Sequence, residues 1–98
     1  MSEENFTPGP WRRGFKNIGH VTAENGAVIA KCERLTSLYN MQANARLIAA
    51  APDMYAALVD FIEYERLMDA DEHVAGMCKY DDLREKAVKA LAKALGEA

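Results

Sequence analysis

The chain has 98 residues, of which half are hydrophobic and 28% charged, with a formal net charge of −3. That is the size and composition of one globular domain, and a mildly acidic chain has no general electrostatic reason to bind nucleic acid. Two cysteines, Cys32 and Cys78, make no disulfide framework. No apolar run approaches the roughly 20 residues of a membrane span, and the acidic, polar start "MSEENFTPGP" lacks a secretory pattern. These features predict a cytosolic chain with reduced thiols. The charge is unevenly divided. Residues 1–50 carry six Lys/Arg against four Asp/Glu, a net of +2, and residues 51–98 carry six against eleven, a net of −5. Two solvated faces account for this, and so does steering of a ligand or partner.

Residues 1–10 read as a flexible lead-in, because "TPGP" blocks helix and favours an extended or turned backbone. The β-meander is expected over 11–33. "WRRGF" reads as a first strand weakened by Gly14. "IGHVTAENGAVIAKC" carries Asn25-Gly26, a strong hairpin cue, because a two-residue type I′ turn needs positive φ at both central residues. That turn pairs Glu24 with Ala27, Ala23 with Val28, Thr22 with Ile29 and Val21 with Ala30. Val21, Ala23, Val28, Ala30 and Cys32 then share a face suited to packing against helices. His20, Thr22, Glu24 and Lys31 take the other.

The helical part is expected over 41–96. Asn40 is a candidate N-cap for a helix starting at Met41, with Thr36 or Ser37 serving an earlier start. Pro52 removes a hydrogen bond and clashes with the carbonyl of Ile48 if the helix runs straight through. It costs little in a first turn. The run therefore divides into a helix over about 41–50 and a second from Pro52 to Met68, a kinked single helix being the alternative. Asp53 in the first turn suits the helix dipole. "DADEHVAGM" (69–77) reads as a connector. Asp81 or Asp82 with Glu85 resembles a capping box for a last helix. Leu83, Ala87, Val88, Leu91, Ala94 and Leu95 form its apolar stripe, Glu85 and Lys89 an i,i+4 pair, and Gly96 its end. The fold class is α+β: a small N-terminal antiparallel β-meander packed against two to three C-terminal helices, in a single domain.

Catalytic chemistry finds little purchase. His20, Cys32, His73 and Cys78 form no CxxC or HxxxH pair, and no GxxxxGK[ST], GxGxxG or GxSxG occurs. The expectation is a non-enzyme without metal or cofactor. Two binding regions stand out. Arg12 and Arg13 beside Trp11, Phe15 and Lys16 suit a phosphate and a stacked base, or an edge strand guarded by charges. Asn44 and Arg46, among alanines near a helix start, suit an anion, or Arg46 makes a structural ion pair with Asp53 or the acidic helix. The other region is acidic: Glu63, Glu65, Asp69, Asp71 and Glu72, with Tyr64 as an aromatic anchor.

"TPGPW" (Thr7–Trp11) followed by "ANARLIAAAPDMYAAL" (Ala43–Leu58) resembles a group of small proteins of bacteriophages and prophages. In that group a "TPGPW" start leads into a β-meander and "NARLIAAAPDLLEAL" into a helix. This chain has Met54-Tyr55-Ala56 where leucines and an acid are usual. The resemblance implies a phage accessory protein acting in the host cytoplasm against bacterial defence. One reading is an anti-CRISPR-like inhibitor that binds a host defence protein through Glu63–Glu72. A second is a sponge that sequesters a nucleotide immune signal through Arg12, Arg13 and Arg46. A third is a nucleic-acid-binding accessory protein. The mostly apolar "LIAAAPDMYAALVDFI" adds the expectation of a homodimer formed through helices.

Overall fold

A computed structural model describes residues 5–14, 17–33 and 38–96. Three short strands, β1 (Trp11–Arg13), β2 (His20–Ala23) and β3 (Val28–Lys31), form an antiparallel sheet in the order β1-β2-β3. Three helices follow: α1 (Leu38–Ala49), α2 (Ala51–Asp69) and α3 (His73–Leu95). This is the expected α+β arrangement.

The hairpin between β2 and β3 turns through three residues rather than two. Gly26 N–H donates to the Ala23 carbonyl at 3.0 Å and Ala23 N–H to the Ala27 carbonyl at 2.9 Å. The Asn25 side-chain oxygen accepts from Ala27 N–H at 3.0 Å. A type I′ turn needs positive φ at Asn25 as well, but only Gly26 takes it (φ 89°). The three-residue loop pairs Thr22 with Val28, one position off the expected register. A β-irregularity then restores the expected pairing of Val21 with Ala30. Val28, expected inward, is therefore exposed, while Val21 and Ala23 are buried as expected.

The inner face of the sheet packs on α1. Val21, Ala45 and Ala49 form the buried cluster, ringed by Trp11, Ile29, Ala30, Cys32 and Ile48. Ala45 and Ala49 are one helical turn apart, so small side chains let the α1 backbone approach β2 closely. Asn40 lies inside α1 rather than at its start, because the helix begins earlier, at Leu38; Thr36 and Ser37 fall outside the described residues. The break at Pro52 is real. Only Ala50 separates α1 from α2; it stays right-handed at φ −83° while its ψ rises to −4°, and Pro52 stands in the first turn of α2. Its missing N–H costs nothing there.

The largest departure from expectation lies at 69–77. Only Ala70–Glu72 connect α2 to α3. Asp71 takes φ 60°. Its N–H donates to the Met68 carbonyl at 3.1 Å, and Glu72 N–H donates to the Leu67 carbonyl at 2.9 Å. That is the paired 5→2 and 6→1 bonding of a Schellman ending, with aspartate where glycine is usual. Gly76, read as a connector residue, is buried inside α3. A Cβ there would meet Met68 Sδ at 2.6 Å, so the missing side chain lets α3 close on α2. This packing outweighs the roughly 1 kcal/mol helix cost of glycine. Asp81, Asp82 and Glu85 consequently lie mid-helix and form no capping box. Gly96 ends α3 with φ 76°, as expected.

Ion pairs register α2 against α3. Lys93 Nζ lies 2.9 Å from Asp53 Oδ2. Lys86 Nζ lies 2.7 Å from Asp60 Oδ2, with Lys79 Nζ 3.7 Å from Oδ1. Asp60 is the buried charge of the hairpin. The expected stripe on α3 divides. Ala90 is buried and Leu83, Ala87 and Ala94 are half-buried, but Val88, Leu91 and Leu95 face outward.

Candidate functional site

The α2–α3 turn gathers most of the predicted acidic residues, and the local geometry sorts them. Glu63 is spent within its own helix. Arg66 Nη2 lies 2.6 Å from Glu63 Oε1 and Arg66 Nε donates to Oε2 at 2.9 Å. The guanidinium holds the Glu63 carboxyl below its ordinary range, and the carboxylate raises Arg66 in turn. Tyr64 leans on Tyr80 of α3, with ring centroids 5.6 Å apart, so it bridges the helices rather than standing free as an anchor. Glu65, Asp69, Asp71 and Glu72 remain exposed. Asp71, lifted by its left-handed backbone, has a side chain 91% exposed and only a long 3.5 Å contact with His73 Nε2. The turn therefore presents carboxylates to solvent at the far end of a paired-helix arm.

The predicted cationic set does not come together in this way. Arg12 is exposed and Arg13 half-buried on consecutive residues of β1. Consecutive strand residues point to opposite faces. Asn44 is exposed on α1, and Arg46, two residues on, projects from a different side of the helix. Arg46 stands in the last turn of α1, not the first, because the helix starts at Leu38. The free N–H groups at the start of α1 are therefore not beside it. Its side chain instead lies over the end of α3, where a Cβ on Gly96 would sit 2.8 Å from Arg46 Nε. A cation at a helix C-terminus is stabilising. Asp53, one of its expected partners, pairs with Lys93.

A cavity of about 430 Å³ lies where the N-terminal segment crosses α2, lined by Phe6, Pro52, Asp53, Tyr55, Asp60 and Lys86 among others. Phe6 meets Tyr55 edge to face at 4.9 Å. Trp11 Nε1 donates to the Thr7 carbonyl at 3.1 Å. The two carboxylates on the wall already face lysines, so the cavity offers apolar shape more than unspent charge. Sequence reasoning missed it because Phe6 and Asp60 are 54 positions apart and carry no shared motif. Among the described residues, no three His, Cys, Asp or Glu side chains are placed to hold one metal ion. No helix among them is long and apolar enough to cross a membrane.

The family of Salmonella phage P22 protein Y8K6 matches the chain over residues 1–98. The chain belongs to this family. The Y8K6 family is a phage protein family, which agrees with the phage character implied by the sequence resemblance. Among curated proteins and among solved structures there is no significant match. For this Y8K6-family chain, what the fold is used for has to be argued from its surfaces.

Proposed function

We propose that the protein is a non-catalytic phage accessory protein that binds a host defence component and blocks it, using the carboxylates of the α2–α3 turn against a basic surface. The observation that carries this reading is the separation of roles along one short stretch. Glu63 and Tyr64 are held within the arm, whereas Glu65, Asp69, Asp71 and Glu72 are exposed at its end. Charges displayed in this way accelerate encounter with a complementary surface and suppress wrong partners. Family membership supports the phage setting. The dispersed cations Arg12, Arg13 and Arg46 lend less support to a nucleotide sponge, which needs several donors around one anion.

The test is phage plating on host strains that each carry one defence system and express the protein. The wild-type chain should raise plating on at least one strain. Glu65→Lys, Asp69→Lys and Asp71→Lys together should lower that gain tenfold or more, with an unchanged far-ultraviolet spectrum. Full protection by the triple variant would overturn the assignment of the surface. No gain on any strain would overturn the function.

A further inference from the structure

Many large apolar side chains among the described residues lie at the surface. Among the described residues the buried hydrophobic positions are Val21, Leu67 and six alanines, while twelve large hydrophobic residues are exposed. The radius of gyration is 16.0 Å, against about 13 Å for a compact domain of this length. One exposed set is ordered. Val74, Met77, Asp81, Arg84, Val88, Leu91 and Leu95 follow one another at alternating steps of three and four along α3. That is the a/d spacing of a two-helix seam. The five apolar members are each more than half exposed, Val74 at 83%. Asp81 and Arg84 interrupt the seam at its middle, both exposed. Among the described residues neither makes an ion pair.

We propose that this face of α3 pairs with the same face of a second copy, antiparallel about a two-fold axis, with Asp81 of each copy opposite Arg84 of the other. An antiparallel seam sets each a position against a d position, and two-fold symmetry makes every such contact reciprocal. Placing Asp81 against Arg84 of the partner copy then sets Met77 against Val88 and Val74 against Leu91, twice over. Six of the seven seam positions are matched in this way, in four apolar and two oppositely charged layers, and Leu95 lies beyond them. A parallel pairing sets Asp81 against Asp81 and Arg84 against Arg84, which places like charges at the centre of a closing seam. The charges thus select the orientation and the register, and the apolar layers drive association. The surface is distinct from the carboxylates of the α2–α3 turn, so it stands or falls independently of the proposed function.

Charge exchange tests this in the full-length chain, read by light scattering at about 100 μM with circular dichroism as the check of folding. The wild type should have twice the chain mass of 10.9 kDa. Asp81→Arg and Arg84→Asp should each fall to the monomer mass while staying helical. The chain carrying both changes should return to the dimer, because the opposite charges meet again with roles exchanged. A monomeric wild type overturns the proposal, as do single variants that stay dimeric. Failure of the double variant to recover also overturns it, since only the antiparallel register restores the pair. If Leu58→Asp on α2 dissociates a dimer that the α3 changes leave intact, the interface is on α2 and the proposal is wrong.

Discussion

At single positions, several groups have neighbours that leave them little choice. Asp60 is buried between Lys86 and Lys79, and breaking a buried pair strands a charge. Lys86→Met should cost about 1–3 kcal/mol, less than the ~3–5 kcal/mol of a fully stranded buried charge, because Lys79 remains at 3.7 Å and Lys86 is itself half exposed. Adding Asp60→Asn should recover part of that loss, since no unpaired carboxylate is then left inside; urea unfolding of the two variants measures it. Asp71 holds a left-handed backbone at φ 60°, which glycine adopts without steric cost. Asp71→Gly should therefore stabilise the chain by up to ~1 kcal/mol, visible as a higher urea midpoint at constant slope. Arg46 sits over the C-terminal end of α3, so Arg46→Met should lose about 0.3–1 kcal/mol and Arg46→Lys less, because lysine keeps the charge beside the dipole. Equal losses for the two would argue for packing alone.

For the elements, the close approach of α1 to the sheet rests on Ala45 and Ala49, both buried. Ala45→Leu has no room and should cost about 1–3 kcal/mol, lowering the melting temperature by several degrees in a chain of this size. Glu85 and Lys89, joined at 2.8 Å on the exposed side of α3, should tolerate alanine with little change. The elements whose cues act locally were legible in the sequence. The hairpin, the Pro52 break, the Asp53 first turn and the Gly96 ending each depend on one or two residues with restricted backbones. What escaped was set by contacts between distant residues. Gly76 reads locally as a connector signal, and only Met68 packed against it shows that the helix continues. The same reading hid the exposed apolar row on α3, because starting the helix at Asp81 or Asp82 leaves Val74 and Met77 out of the pattern. The hairpin register was missed by one residue because Asn-Gly serves a two-residue and a three-residue loop alike, and the φ of Asn25 decides between them. The acidic residues were legible as a set, but not the removal of Glu63 by Arg66 or of Tyr64 by Tyr80.

Taken whole, the protein is an extended body of 50 × 26 × 19 Å, with the sheet and α1 at one part and a paired-helix arm projecting from them. A core made largely of alanines buries little apolar area per residue, and a domain of this size has small reserves of stability. The proposed pairing across α3 would add apolar burial to the folded chain and make its stability depend on concentration. It would also place two acidic turns in one assembly, at opposite ends of an antiparallel seam. The most direct test of this account is sedimentation equilibrium of the unmodified full-length chain across dilution from about 100 μM. The account predicts a mass of twice 10.9 kDa at the high end, falling towards the single-chain value only on dilution. A mass of 10.9 kDa throughout, with a well-folded helical spectrum, would contradict it.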